Sequence, residues 1–216
     1  MSNWVTSLIQ KIKSSLVTAP KPEEPKVGVS KPVWDAIRVI LGGKLTQKQV
    51  DGINAIYVAW LEQEVLPSDV SKARLAYVLA TVHWETNKTF EPVREAYYMG
   101  EPRAETYRKT LRYYPWYGRG LVQLTWKDNY VRADNELGLG GTLVANPDRA
   151  LELGVSVKVL VIGMIEGWFT GKKLSDYIKP NSVDFIGARR IINGTDMNKH
   201  IASVATRYLE ALKAPL

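Results

Sequence analysis

Leu75, Val78, Leu79 and Val82 recur at the spacing of one helical face, and three residues past Val82 the stripe runs into a carboxylate, Glu85. A helix drawn this way goes into the core with an acid at its end, and that acid is expected to be partly buried. Polar, turn-forming residues follow, and Pro92 bars a continuous helix. Glu95 is therefore expected to face Glu85 across a loop, with Glu91 competing for the same place.

From Pro32 onward the pattern is helical. Trp34, Ile37, Ile40 and Leu41 mark a short helix stopped by Gly42-Gly43. Thr46 with Gln49 three residues on resembles a capping box, opening a helix with Val50, Ile53, Tyr57, Trp60 and Leu61. Ser68 or Ser71 caps the helix that ends at Glu85. The segment from Val155 to Phe169 fits two elements: its alternating valines suit a strand, whereas its length, Met164, Ile165 and Trp168 suit a buried helix. It is too short, and with Lys158 and Glu166 too charged, to span a bilayer. A last helix is predicted from Lys199 to Leu212, with Ile201, Val204, Tyr208 and Leu212 inward.

Upstream, Pro20, Pro22 and Pro25 make residues 19–31 an extended linker. The chain is thus expected to divide into an amphipathic N-terminal helix over residues 1–18, that linker, and a folded domain over residues 32–216. Trp4, Leu8, Ile12 and Leu16 share one face of the first segment, beside Lys11 and Lys13. It fits a helix docked on the domain or a partner, a helix making peripheral contact with a membrane, or a frayed tail. It lacks the continuous apolar core and cleavage site of a secretory signal.

The chain has no cysteine, which rules out a disulfide framework or a thiolate metal site and makes synthesis in a cytoplasm the simpler expectation. With only His83 and His200, a His-rich zinc site is not expected, nor is any cofactor. Cysteine and Ser-His-Asp mechanisms are absent or unsupported, which leaves the carboxylates as the reactive groups. The net charge of +7 and pI of about 9.4 favour a polyanionic partner: nucleic acid, anionic lipid or an acidic wall polymer. No nucleic-acid-binding motif is present, so nucleic acid is not expected. Seven tryptophans and eleven tyrosines against three phenylalanines favour rings with a polar handle, suited to stacking on sugars.

Glycoside hydrolysis needs one carboxyl group that holds a proton for the leaving oxygen and another that activates water or attacks the sugar. Glu85, at the end of an apolar helix, suits the first role, and Glu95, after Arg94 in an exposed turn, the second. Tyr117-Gly118-Arg119-Gly120-Leu121-Val122-Gln123-Leu124-Thr125 supplies the surroundings. Gly118 and Gly120 permit close approach, and Arg119 between them is placed to pair with a carboxylate. If the run is extended, Gln123 and Thr125 share one face and offer an amide and a hydroxyl to a sugar or a water. Tyr117 and Arg119 complete this sugar-facing wall.

These residues resemble family 19 glycoside hydrolases, the chitinase-like group that includes many bacteriophage endolysins. The likeness rests on Leu79-Ala80-Thr81-Val82-His83-Trp84-Glu85-Thr86, on the run from Tyr117 to Thr125 with Asn129-Tyr130, and on Ile191-Ile192-Asn193-Gly194. It implies a mainly α, lysozyme-like, two-lobed helical domain with a central cleft and little β structure, and hydrolysis with inversion. By position it implies Glu85 as general acid, Glu95 as general base and Thr125 as a holder of the attacking water. Gln123, Asn129 and Asn193 would contact the sugar. The chain departs from the family pattern in having Trp84 where histidine is usual, Asn87 and Lys88 where glycines follow the acid, and a shorter loop than plant chitinases.

A basic, cysteine-free chain of this kind resembles an endolysin more than a plant chitinase. The expected substrate is peptidoglycan, cut at the β-1,4 link after N-acetylmuramic acid, by a monomer made in a host cytoplasm. It would reach the wall through a membrane lesion or from a virion. A chitinase, a lytic transglycosylase and a non-catalytic wall-binding or virion protein are the alternatives.

Overall fold

The computed structural model describes residues 28–63 and 68–214. The expected helix over residues 1–18 lies outside the described residues, as does most of the expected linker. Nine α-helices run through the rest: α1 (Lys31–Ile40), α2 (Gln47–Gln63), α3 (Asp69–Glu85), α4 (Arg103–Lys109), α5 (Lys127–Glu136), α6 (Thr142–Ala145), α7 (Leu153–Glu166), α8 (Leu174–Tyr177) and α9 (Asn198–Leu212). Among the described residues, strands are confined to two antiparallel ladders, β1 (Val93–Arg94) with β2 (Arg119–Gly120), and β3 (Ile178–Lys179) with β4 (Ser182–Val183). The chain is mainly α with little β, as the resemblance implied. No helix among the described residues is long and apolar enough to cross a membrane.

The axis of the fold is α3. Ser68 caps it, its hydroxyl accepting from Ser71 N at 3.1 Å. Ser71 is itself buried and accepts from Trp60 Nε1 of α2 at 2.9 Å. The expected stripe is inside, but so are Ala76, Tyr77, Ala80, Thr81 and His83, so α3 is buried on every face rather than on one. The reason is a complete jacket: α9 lies along it in the most extensive helix contact, while α2, α7 and β3 meet its other sides. Ala73, Ala76 and Ala80 let these neighbours approach closely. From α9, the buried Tyr208 sets its ring against His83 and Phe90 at 5.9 and 6.5 Å between centroids.

The Thr46–Gln49 capping box forms, Thr46 N donating to Gln49 Oε1 at 2.8 Å and Gln49 N to Thr46 Oγ1 at 3.2 Å. It opens α2, whose buried residues are Gly52, Ile53, Ile56 and Trp60. A Cβ at Gly52 would overlap the Phe90 carbonyl, so α2 rests directly on the loop that follows α3. The Val155–Phe169 segment is helix α7. With Ser156, Val157, Val159, Leu160, Val161, Gly163 and Met164 buried, it packs among other helices, and its alternating valines do not set its conformation.

Candidate active site

Glu85 stands at the last turn of α3, and the chain then turns back sharply. Thr86 Oγ1 donates to Val82 O at 2.7 Å and accepts from Phe90 N at 3.0 Å, while Lys88 N donates to His83 O at 2.8 Å. Asn87, Lys88 and Phe90 all have positive φ, at 48°, 69° and 57°. Asn87 and Lys88 thus hold the left-handed conformation natural to the glycines usual there, and the departure in sequence leaves the turn intact. Gln49 Nε2 donates to Lys88 O at 2.9 Å and pins the turn from α2.

The surroundings of Glu85 are not the apolar helix end expected from the sequence. Arg189, buried in the 3₁₀ segment Gly187–Ile191, places Nη1 2.7 Å from Glu85 Oε1 and donates from Nε to Asp196 O at 3.1 Å. The side chains of Glu85 and Arg189 are 15% and 4% exposed, so this ion pair is shielded from water. Sequence reasoning missed Arg189, since it lies 104 residues away and nothing in its neighbours distinguishes it from Arg190. His83, one place before Trp84, faces the core with Nδ1 3.1 Å from Tyr208 Oη. Trp84 packs its ring on His200 at 5.3 Å.

Glu95 follows β1 and is held at four points. Its N–H donates to Gly118 O at 2.7 Å, and its carbonyl accepts from Arg108 Nε at 2.9 Å. Its carboxylate accepts from Tyr113 Oη at 2.9 Å and from Gly118 N at 2.8 Å. Burial first, and then the bond to Glu95, push the Tyr113 phenol up to about 12, so Tyr113 stays a donor. Glu91 pairs instead with Lys48 at 2.7 Å, outside the two cavities described below.

The run from Tyr117 to Thr125 is not an extended strand. After β2 it doubles back, Arg119 N donating to Leu124 O at 3.1 Å and Leu124 N to Arg119 O at 2.8 Å. Gln123 takes φ 55°, and its amide nitrogen donates to Val93 O at 3.0 Å. Thr125 Oγ1 donates to Gln123 O at 2.7 Å, and Asn129 Nδ2 to Thr125 O at 2.8 Å. A tight turn rather than a pleat therefore presents the amide and the hydroxyl.

Tyr117 and Arg119 turn the other way. Both are buried, and they line a separate cavity behind the site with Arg108 and Asp148. The Arg119 guanidinium lies 3.6 Å from the Tyr117 ring centre, donates to Pro115 O and Tyr117 O, and pairs with Asp148 at 2.7 Å. Burial raises Asp148, but Arg94 and Arg119 together hold its carboxyl below the usual range. The arginine does fix a carboxylate, as its glycine-flanked setting suggested. That partner, Asp148, lines the same cavity, and neither Tyr117 nor Arg119 lines the two cavities described below.

Two cavities share Glu85 and Gln123. One, of about 350 Å³, is also lined by Trp84, Arg94, Glu95, Tyr97, Tyr98 and Tyr107. The other, of about 410 Å³, is also lined by Tyr113, Thr125, Trp126, Asn129, Phe169 and Asn193. The structure thus brings Glu85, Glu95, Gln123, Thr125, Asn129 and Asn193 to two cavities that meet at Glu85 and Gln123. Two carboxylates with different partners border them, along with amides, a hydroxyl and several aromatic rings. No three of His, Asp and Glu are grouped to hold a metal ion among the described residues.

A helical domain of this form is the fold of solved family 19 chitinases. The chain is similar to chitinase C from Streptomyces griseus HUT6037 (TM-score 0.61, 20% identity, 91% of this chain and 87% of that one). It is also similar to a bacterial family 19 chitinase (TM-score 0.57, 23% identity, 87% and 96%). A chitinase C mutant with a glutamate replaced by glutamine aligns as well (TM-score 0.57, 24% identity, 89% and 99%). No protein-family model matches the chain, and no curated protein matches it in sequence. At these identities the likeness establishes the fold.

Proposed function

We propose that the protein is a glycoside hydrolase that cuts β-1,4 links in peptidoglycan by a two-carboxylate, inverting mechanism. The observation that carries this reading is the opening of Glu85 and Glu95 on one cavity with unlike partners. Arg189 occupies Oε1 of Glu85, which leaves Oε2 to deliver a proton to the leaving glycosidic oxygen. Tyr113 and Gly118 fix both oxygens of Glu95, which as base takes a proton from the attacking water. The Thr125 hydroxyl is already donating to Gln123 O, so its lone pairs accept from that water. Gln123, Asn129 and Asn193 line the sugar-binding face. Tyr117 and Arg119 support it from behind.

Peptidoglycan is favoured by the net charge of +7, which suits an anionic wall polymer better than neutral chitin. The biological role we infer is that of an endolysin, made in a host cytoplasm, acting as a monomer and reaching the wall by membrane release or virion delivery. A chitinase is the second reading, favoured by the chitinases that share the fold. Glu85→Gln tests the enzyme directly: wall-clearing activity is expected to fall about 10²-fold or more with the circular dichroism spectrum unchanged. Equal clearing by variant and wild type would remove Glu85 from the reaction, and no clearing by either would turn the reading toward a non-catalytic wall-binding protein.

A further inference from the structure

The arginines in and behind the site divide into two kinds. Arg94 and Arg119 share Asp148, Arg108 holds Glu101 and Glu105, and Arg189 holds Glu85. Arg112 holds no carboxylate among the described residues. It is exposed, and its guanidinium lies 4.8 Å from the centre of the Trp126 ring. Trp126 is 42% exposed and also lines the cavity that contains Glu85, Gln123, Thr125, Asn129 and Asn193. Its ring meets Tyr113 at 4.9 Å, and its backbone sits at φ 73°, a strained conformation for a residue with a side chain.

A guanidinium over an indole has lost part of its freedom before any ligand arrives, and in an exposed side chain its N–H groups remain open to a partner. With no acid to satisfy them, they suit a planar anion, which a guanidinium takes in paired hydrogen bonds. The nearest occupant of the cavity would be a sugar held by the amides and the tryptophan. An anion presented at this rim would then be a substituent on that sugar.

We propose that Arg112, stacked on Trp126, forms an anion-reading subsite that binds a carboxylate carried by the glycan and so selects muramic-acid-containing strands over neutral N-acetylglucosamine polymers. The proposal rests on the glycan-cleaving reading above. The carboxylate belongs either to the lactyl group of a muramic acid or to the peptide attached to it.

The test measures binding of three tetrasaccharides to Glu85→Gln protein, with and without Arg112→Gln. One is neutral chitotetraose, one alternates N-acetylglucosamine with peptide-free muramic acid, and one carries the stem peptides. Loss of Arg112 is expected to weaken one or both anionic ligands about tenfold and leave chitotetraose unchanged. Arg112→Lys should restore part of the difference. Whichever anionic ligand responds identifies the carboxylate. An equal change for all three ligands, or no change for any, overturns the proposal. Values of kcat/KM for Arg112→Gln against wild type on the same ligands give a second reading should Glu85→Gln fold poorly. If wild-type protein cleaves none of the three, the hydrolase reading falls, while the binding ratios still judge Arg112.

Discussion

A methyl group added at Gly118 would stand 2.7 Å from Gln123 Oε1 and 3.3 Å from Glu95 Oε2. Both of those atoms are already tied, Gln123 through its amide nitrogen to Val93 and Glu95 to Tyr113 and Gly118, so neither side chain can yield freely. Gly118→Ala is therefore expected to push the amide and the second acid apart. Wall-clearing rate should fall at least about tenfold, with a stability loss of only about 1–2 kcal/mol in thermal melts. Wild-type clearing by this variant would show that Glu95 and Gln123 need not be held together. At this scale the sequence pointed to Glu85 at the end of an apolar stripe, to Glu95 across a Pro-containing turn and to Gln123 in a glycine-bearing run. Arg189 was illegible, since an ion pair between residues 104 apart leaves no periodicity. Tyr117 and Arg119 were legible as a pairing arginine and an aromatic, but the direction each faces depends on a turn the sequence did not reveal.

The turn after α3 places both acids, and it does so with side chains in a conformation that suits glycine. Lys88 at φ 69° is the clearest case: its side chain is exposed and makes no ion pair among the described residues. Its backbone bonds, to His83 O and from Gln49, do not involve that side chain. Lys88→Gly is expected to raise the unfolding free energy by about 1 kcal/mol, the left-handed strain outweighing the entropy of the freer unfolded chain. Urea unfolding measures it, and a loss of stability would mean that the lysine stem packs usefully. Four of the nine helices were legible from periodicity: α1, α2, α3 and α9 lie where their apolar spacing put them. The hairpin through Leu121–Gln123 was not, because alternating residues are equally compatible with a pleat and a tight return. The α7 segment was ambiguous for a matching reason, since its alternating valines suit a strand while its length suits a buried helix.

Across the whole molecule, the core converges on α3, and one of its buried groups is a histidine. Burial first, then the charges of Lys88, His200 and Arg207, push His83 down to about 4 from its ordinary 6.5. A folded-state value below the unfolded one means that its contribution is fully present above pH 6.5 and is lost as pH falls toward 4. Stability is expected to drop by about 2 kcal/mol between pH 7.5 and pH 5.0, before the carboxylates titrate appreciably. His83→Gln should flatten that dependence in urea titrations. Equal pH slopes for variant and wild type would place the titrating group elsewhere. The fold class was legible through the resemblance, and the all-round burial of α3 was not, because alanine and threonine suit either face of a helix. The most direct test of the whole account is mass spectrometry of purified peptidoglycan after digestion. Hydrolysis between two carboxylates predicts reducing ends that have each gained one water, formed by wild type and not by Glu85→Gln. Products ending only in 1,6-anhydro sugars, or the same products from the variant, would contradict it.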